Sequence, residues 1–219
     1  MNTSQENYLK AIYSLSEKSD SEFVNTSSIA HKLEMKPASV TEMLKKFEAK
    51  KLVEYKKYKG AKLSEKGSQA ALNIIRKHRL WEVFLLKKLH FKWDEVHEIA
   101  EQLEHIQSRE LTDRLDDFLE NPRFDPHGDP IPDKHGVITD NRNTSLLSEM
   151  EVKETGIMTG VQDSSSIFLK YLERINITLG QRMEVLDKMD FDGSMILVAG
   201  EKEVSISAQA AQNIIIRIN

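Results

Sequence analysis

The sequence contains no cysteine, which excludes disulfides, cysteine-based zinc fingers, iron–sulfur clusters and cysteine nucleophiles. Any metal or catalytic chemistry must therefore come from histidine, aspartate and glutamate. Long apolar runs are also missing, because stretches such as Met195 to Ala199 are far shorter than the roughly 20 residues of a membrane-spanning helix. The polar start, Met1 to Asn7, lacks the pattern of a secretory signal. We therefore expect a cytoplasmic protein that does not bind membranes.

Proline and glycine are scarce, with 5 and 9 residues in a chain of 219, and 39% of the residues are hydrophobic. This composition is typical of a folded soluble protein and excludes a disordered or fibrous chain. The length allows one large domain or two to three small ones. Four of the prolines lie between Pro122 and Pro132, which indicates a loop or a domain boundary there.

Charge is unevenly distributed along the chain, although the net charge is only −4. Residues 36–66 carry ten lysines against four glutamates, a local balance of +6. Residues 93–129 carry twelve acidic residues against three arginines, a local balance of −9. A basic block attracts polyanions, whereas an acidic block that also contains histidines can hold a cation.

The amino-terminal part of the chain predicts a helix-turn-helix followed by a β-hairpin. Apolar spacing predicts a helix over 5–15, Thr26 is expected to cap a second helix over 27–33, and Pro37 suits the first turn of a third. Residues 52–64 predict two strands joined at Lys59 and Gly60, since glycine supplies the positive φ of a tight turn. The hairpin would form the wing of a winged helix-turn-helix domain.

The rest of the chain predicts a helical segment and then a β-rich module. Ser64 is expected to cap a long helix that reaches about Leu89, Asp94 begins another helix, and a third covers 108–119. Short apolar runs then predict strands over 156–161, 175–179, 183–186, 195–198, 204–206 and 214–218, with a helix over 164–173. The fold class that follows is mainly α with small β modules.

The third helix and the hairpin form the candidate DNA-binding surface. Small side chains near a helix N-terminus can approach base edges, and lysines can pair with phosphates. The candidate residues are Lys36, Pro37, Ala38, Ser39, Thr41, Glu42, Lys45 and Lys46 on the helix, and Tyr58, Lys59 and Lys62 on the hairpin. A solvated lysine-rich helix is the alternative interpretation, because such faces are common.

Potential metal ligands cluster on the helix expected after Asp94. With about 100° per residue, four of them share an arc of about 100° beside the apolar stripe. They are His97, Glu101, Glu104 and His105, and His78 and Glu82 on the preceding helix could complete one or two sites. Carboxylates and imidazoles without thiolate suit Mn²⁺, Fe²⁺ or Zn²⁺, and the share of oxygen favours Mn²⁺. Each histidine taken singly can also be an ordinary surface or core residue.

Three segments carry a resemblance to a known family: Val40 to Met43 in the helix-turn-helix, Arg76 to Glu82, and His97 to His105. They resemble the diphtheria-toxin-repressor family of metal-dependent transcriptional repressors. The resemblance covers nearly all of the chain. It implies a winged helix-turn-helix DNA-binding domain over 1–70, a helical dimerisation and metal-binding domain with a proline-rich connection over 71–145, and a C-terminal SH3-like β-barrel domain over 146–219.

The resemblance also implies two sets of metal ligands. The main set is Glu101, Glu104, His105 and Asn7, and the second is His78, Glu82 and His97. In some manganese-responsive relatives a loop Cys-x-His also contributes to the second site, and the match here is Asp125 and His127, with Gln162 or Asp163 completing the site. Iron-responsive members carry cysteine at the position of Glu101 and manganese-responsive members carry glutamate, so the resemblance favours Mn²⁺, with Fe²⁺ as the alternative. Asn7 stands where the manganese branch usually has aspartate and offers only a neutral amide oxygen. Asp125 and His127 can equally be ordinary loop residues.

The function implied by the resemblance is that of a repressor without enzymatic activity, in which the metal acts as corepressor. A homodimer would bind palindromic double-stranded operator DNA of metal-uptake genes. One alternative is a carboxylate-bridged metalloenzyme, but a ferritin-like site needs Glu-x-x-His on two helices and the basic winged helix would remain unexplained. The other is a winged-helix regulator of a small organic ligand, which operator binding at full affinity without metal would favour.

Overall fold

The computed structural model of the protein describes residues 1–19 and 21–218, which form two compact units. The first unit contains residues 1–78, 101–114 and 132–138, and the second contains 79–100, 115–131 and the chain from 139 onward. The predicted division near residues 70 and 145 stays a prediction. Asn219, the end of the predicted last domain, lies outside the described residues.

The first unit begins with the predicted winged helix-turn-helix. Its elements are α1 (Thr3–Ser16), α2 (Thr26–Lys32), α3 (Pro37–Ala49), β1 (Val53–Lys56) and β2 (Gly60–Leu63). Pro37 lies in the first turn of α3 as predicted. Thr26 is not the cap of α2, because the Asn25 side chain accepts a hydrogen bond from the Ser28 amide at 2.7 Å. Asparagine and threonine are both good caps, and a pattern alone does not fix the boundary to one residue.

Apolar stripes of the three helices form the core of this unit. Leu9 and Ile12 of α1 and Val40 and Leu44 of α3 are fully buried. The rings of Tyr8 and Phe47 meet edge to face with centroids 6.0 Å apart, an arrangement that stabilises aromatic pairs. The core thus holds α1 and α3 together.

The wing is a two-stranded antiparallel hairpin in which Lys56 faces Gly60 across the turn. Gly60 has φ +111°, and a Cβ built on it would lie 2.0 Å from the carbonyl oxygen of Val24. Val24 also forms a bridge with Ala61, so the hairpin is tied to the chain segment that precedes α2. Glycine is required at this position both by its backbone conformation and by this close approach.

Three further helices follow: α4 (Glu65–Leu89), α5 (Val96–Leu103) and α6 (Arg109–Phe118). The Ser64 hydroxyl accepts a hydrogen bond from the Gly67 amide at 3.0 Å, which confirms the predicted cap of α4. The helix expected from Asp94 begins later, at Val96, and ends at Leu103. Glu104 and His105 therefore lie in the turn after α5, where the Gln107 side chain donates to the His105 carbonyl at 2.9 Å.

The carboxyl-terminal part of the second unit is built on a six-stranded antiparallel sheet. The strands are β3 (Thr144–Leu146), β4 (Thr155–Val161), β5 (Arg182–Lys188), β6 (Met195–Ala199), β7 (Lys202–Ile206) and β8 (Ile214–Ile218), in the spatial order β3-β8-β4-β5-β6-β7. Helix α7 (Ser166–Arg174) is capped by the Ser165 hydroxyl, and a short helix α8 covers Ala208–Ala211. Alternate residues of β6 are buried, as expected for a sheet with one face in the core.

The predicted strand over 175–179 is wrong. Ile175 and Asn176 form the carboxyl-terminal turn of α7, where Asn176 has φ +58°, and Ile177 packs in the core with no exposed surface. The apolar run reflects this packing rather than a strand. Strand β3 and helix α8 were not predicted, because both are short. No helix among the described residues has the length and apolar character needed to cross a membrane.

Candidate metal centre and nucleic-acid interface

The carboxylate of Glu104 is the centre of a polar cluster in the first unit. Its side chain has no exposed surface, and its two oxygens lie 2.7 and 2.8 Å from Nζ of Lys10 on α1. Oε2 also lies 2.6 Å from Nδ1 of His78 on α4. We call Glu6, Lys10, His78, Glu101, Glu104 and His105 the Glu104 cluster.

Electrostatics keep Glu104 ionised despite its burial. Burial alone would raise the pKa of Glu104, but the hydrogen bond with His78 and the charge of Lys10 outweigh it. The pKa of Glu104 is therefore lower than that of an ordinary glutamate. A buried carboxylate that stays charged is a strong ligand for a divalent cation.

His105 is held by a carboxylate that the sequence interpretation did not single out. Its Nδ1 lies 2.6 Å from Oε2 of Glu6, which is only 3% exposed. The other oxygen of Glu6 accepts a hydrogen bond from the Gln107 side chain at 2.9 Å. A carboxylate on one ring nitrogen fixes the orientation of an imidazole and leaves the other nitrogen for a metal.

Asn7 follows Glu6 on α1 and precedes Lys10 by three residues, so it shares a face of the helix with Lys10. Its side-chain Oδ1 is buried and has no hydrogen-bond partner among the described residues. A buried oxygen without a partner is costly unless something else binds it. An amide oxygen is an acceptable ligand for a hard cation, so this observation fits the predicted role of Asn7.

A second cluster lies in the second unit and consists of Glu82, His97, Asp125 and His127, here called the Glu82 cluster. Ligand atoms of Glu82, Asp125 and His127 all lie within 4.8 Å of one another, and all three residues are buried. Nδ1 of His97 lies 3.2 Å from Oε1 of Glu82, and Nδ1 of His127 lies 3.5 Å from Oε2. Glu82 is therefore the residue that the two histidines share.

Burial and neighbouring charges shift the pKa values of Asp125 and His127 in the Glu82 cluster. Burial, with the neighbouring Glu82 carboxylate as the next cause, raises the pKa of Asp125 to about 7. Burial opposes the charged form of His127, but the hydrogen bond and the charge of Glu82 outweigh it and raise the pKa of that imidazole. Carboxylates that repel one another at close range are stabilised by any added cation.

His127 offers a second signal of a ligand site. Its Nε2 is buried without a hydrogen-bond partner among the described residues, while the ring of Trp93 stacks on the imidazole with centroids 6.1 Å apart. The Asp125 carboxylate accepts hydrogen bonds from the His127 and Asp129 amides at 2.8 and 2.9 Å, which fix the loop. The orientation of His127 is thus built into the second unit.

The remaining predicted ligands are His78, Gln162 and Asp163. Nδ1 of His78 contacts Glu104, and the assignment of His78 to the second set stays a prediction. Gln162 and Asp163 are exposed, and Asp163 accepts a hydrogen bond from the Ser165 amide at 2.8 Å. Gln162 nevertheless follows Val161, whose amide donates to the His127 carbonyl at 2.9 Å.

The candidate DNA-binding residues are all exposed or partly exposed to solvent. Lys36 at the N-cap of α3 is exposed, as are Pro37, Ala38, Ser39, Glu42, Lys45 and Lys46 on the helix. Thr41 is partly exposed, and its hydroxyl donates to the Pro37 carbonyl at 3.0 Å. On the wing, Tyr58 is 92% exposed at the turn and Lys59 follows it. Lys62 forms an ion pair with Glu22 at 2.8 Å, so a phosphate would have to compete with that carboxylate.

Two residues of the Glu104 cluster escaped the sequence interpretation, namely Glu6 and Lys10. Both lie far in sequence from the acidic block, and a lysine is not a metal ligand. The signal that was available is helical spacing, since Glu6 and Lys10 lie about one turn apart on α1, on either side of Asn7 in the sequence.

Comparisons with known proteins match three consecutive parts of the chain. Residues 1–61 match the iron dependent repressor N-terminal DNA binding domain, 64–133 the iron dependent repressor metal binding and dimerisation domain, and 146–218 the FeoA domain. A solved manganese-dependent transcriptional repressor in complex with manganese is 31% identical over 98% of this chain and 100% of its own, with a TM-score of 0.84. The chain belongs to the iron-dependent repressor family. This membership confirms the predicted family and fold class, including the SH3-like module.

Curated proteins are also similar to part of the chain. The iron-dependent repressor IdeR of Mycobacterium bovis is 34% identical over 127 residues, and a probable metal transport system membrane protein of Chlamydia trachomatis is 43% identical over 70 residues. The matches span 54% and 16% of those two proteins and 58% and 32% of this chain. The family consists of DNA-binding transcriptional repressors and not of enzymes.

Proposed function

We propose that this member of the iron-dependent repressor family is a manganese-activated DNA-binding repressor, with Fe²⁺ as the alternative activating ion. The observation that carries the proposal is the Glu104 cluster, in which a buried, ionised carboxylate lies beside an oriented imidazole. Asn7, Glu101, Glu104 and His105 would hold the activating ion. The buried Asn7 oxygen and the oxygen-rich donor set fit a hard divalent cation.

Metal occupancy would act through linkage. Asn7 belongs to α1, which packs on α3 through Tyr8 and Phe47. An ion that binds the ordered arrangement of α1 and the turn after α5 more tightly than a loose one increases the population of the ordered state. The ion itself supplies positive charge to a group of carboxylates and performs no reaction.

The nucleic-acid partner would be double-stranded DNA, read by α3 in the major groove and held by the wing. The lysine-rich surface of α3 and the wing supports this partner. A homodimer would bind a palindromic operator, because two-fold symmetry in the protein matches two-fold symmetry in the DNA. The match to a dimerisation domain over 64–133 supports the dimer. Control of metal-uptake genes and a cytoplasmic location complete the proposal.

The Glu82 cluster would hold a second ion. Glu82, His97, Asp125 and His127 are its candidate ligands, and the buried Nε2 of His127 supports this role. The ion would relieve the repulsion between Glu82 and Asp125. Gln162 and Asp163 remain predicted additional ligands of this second metal site.

The experiment that tests the proposal uses the full chain and a pool of random DNA duplexes. Binding is selected under anaerobic conditions with Mn²⁺, and the recovered duplexes are titrated with Mn²⁺, Fe²⁺, Zn²⁺ and Co²⁺ separately. We expect binding that requires metal, a palindromic consensus, and a dimer by light scattering. Affinity order alone is not decisive, since later metals bind more tightly to most sites. Full-affinity binding in the presence of a chelator would contradict the proposal.

A further inference from the structure

Lys10 is a positively charged residue in the Glu104 cluster, where a metal ion is expected to bind. Its ammonium lies within hydrogen-bond distance of both Glu104 oxygens, at 2.7 and 2.8 Å, and 3.4 Å from Oε1 of Glu101. Glu104 has no exposed surface and Lys10 is 21% exposed. The ammonium thus bridges two carboxylates that are also the candidate metal ligands.

The hydrogen-bonding capacity of Glu104 on the protein side is already engaged. Oε1 is contacted by Lys10, and Oε2 is contacted by both Lys10 and Nδ1 of His78, the latter at 2.6 Å. A divalent ion that binds Glu104 must therefore take over at least part of the charge interaction that Lys10 makes. An ammonium and a metal ion compete for the same carboxylate, because each is a cation at close range.

From this geometry we propose that Lys10 is an internal competitor of the metal ion at Glu104 and sets the metal concentration at which the site fills. The inference rests on the proposed function. Lysine suits the role because its charge is carried on a flexible four-carbon stem, so the ammonium can leave a carboxylate for solvent without movement of the backbone. The partial exposure of Lys10 gives it that route.

Lys10 also ties the competition to the helix that the metal would order. Glu6 and Lys10 lie one turn apart on α1, with Asn7 between them. In the metal-free state the Lys10 ammonium holds α1 to Glu104, and in the metal-bound state Asn7 would hold it through the ion. The competitor thus keeps the cluster charge-balanced and folded while the metal is absent.

A purely structural role for Lys10 gives different expectations. If the ammonium only stabilised the fold, its loss would lower stability equally with and without metal and would not tighten metal binding. If it stayed in place to balance charge in the metal-bound state, its loss would weaken metal binding or leave it unchanged. Competition alone predicts tighter binding after the charge is removed.

The test is isothermal titration of Mn²⁺ into the full chain, comparing wild type with Lys10→Met, Lys10→Arg and Lys18→Met. Lys10→Met keeps a long apolar stem and removes the charge, so we expect Mn²⁺ to bind about tenfold more tightly. Lys10→Arg retains a cation and is expected to bind Mn²⁺ no more tightly than wild type. Lys18→Met removes the same charge from an exposed position just beyond α1 and should leave the affinity unchanged.

Thermal unfolding of the same variants supplies a second readout. Lys10→Met should be less stable than wild type in chelator, and the difference should close in excess Mn²⁺. Equal or weaker Mn²⁺ affinity in Lys10→Met, with wild type binding normally, would overturn the competition and leave the metal site standing. Absence of Mn²⁺ binding in wild type would instead overturn the proposed function, and with it any competitor.

Discussion

Nδ1 of His105 lies 2.6 Å from Oε2 of Glu6, and this contact joins the turn after α5 to the first turns of α1. Because Glu6 is buried and also bound by Gln107, the imidazole has a fixed orientation. Replacing the carboxylate in Glu6→Ala should reduce Mn²⁺ affinity by about 10- to 100-fold, the usual cost of losing a partner that orients a ligand histidine. Titration calorimetry measures the change.

The matched control for Glu6→Ala is Glu17→Ala, since Glu17 is an exposed carboxylate at the end of the same helix. Its removal should leave Mn²⁺ affinity at the wild-type value. Circular dichroism of both variants in chelator checks that α1 still folds. Equal Mn²⁺ affinity in Glu6→Ala and wild type would show that His105 does not depend on Glu6.

Metal choice should depend on Glu101, which is at the edge of the Glu104 cluster with 52% of its side chain exposed. Cysteine can be accommodated there without disturbing the core. Because a thiolate is a poorer partner for hard Mn²⁺ than a carboxylate, Glu101→Cys should shift activation from Mn²⁺ toward Fe²⁺ and softer ions. Metal-dependent DNA binding, titrated anaerobically with each ion, measures the shift.

Two further variants serve as controls for the Glu101→Cys experiment. Glu98→Cys places a thiol at an exposed position of the same helix and should leave the metal preference unchanged. Glu104→Ala should abolish activation by every ion, since its carboxylate is the buried centre of the cluster. An unaltered preference in Glu101→Cys would move the origin of selectivity elsewhere, with Asn7 the next residue to test.

Occupancy of the Glu82 cluster should be visible in tryptophan fluorescence. Trp93 stacks on His127, so a paramagnetic ion bound by that imidazole lies close enough to quench its emission. The chain has 2 tryptophans, and Trp81→Phe removes the other signal. In this background Mn²⁺ should quench Trp93, and His127→Ala should remove the quenching while leaving ion binding at the Glu104 cluster. Quenching that persists in His127→Ala would place the second ion elsewhere.

Sequence reasoning found the elements whose signals are local. The Pro37 start of α3, the Ser64 cap of α4 and the glycine of the wing each depend on residues within one or two turns. The strand expected over 175–179 failed for the same reason, since an apolar run at a helix end and a short strand look alike over five residues.

The candidate metal clusters were predicted less completely. Spacing and resemblance identified Glu104 and His105, but the partners Glu6 and Lys10 lie about a hundred positions away and become neighbours only through packing of α1. His78 shows the same limit, because its contact with Glu104 depends on how the chain folds back. Single-sequence reasoning does not contain this information, as contacts across the fold are fixed by tertiary packing.

We expect α3 to recognise the DNA bases and the wing to contact the DNA phosphate backbone. Thr41 is partly exposed near the start of α3, so Thr41→Ala should relax sequence preference among selected duplexes. Lys62→Ala should weaken all duplexes similarly and reduce the salt slope by about 1. Part of the Lys62 effect is offset by its ion pair with Glu22, and Glu22→Gln should therefore strengthen DNA binding slightly. If both Thr41→Ala and Lys62→Ala keep wild-type affinity and selectivity, the groove assignment is wrong.

The wing should be unusually sensitive to a single methyl group at Gly60. A Cβ there would lie 2.0 Å from the Val24 carbonyl oxygen, in a backbone conformation with φ +111° that alanine rarely adopts. Gly60→Ala should therefore lower the free energy of unfolding by more than about 3 kcal/mol, because strain of about 1–3 kcal/mol adds to a backbone clash.

Gly180→Ala is the matched control, since Gly180 has φ +78° but no atom within 4 Å of the added Cβ. It should lose only the conformational contribution, about 1–3 kcal/mol. Urea unfolding of the metal-free chain, followed by helical circular dichroism, compares the two variants, and equal losses would show that the Val24 contact does not constrain the wing.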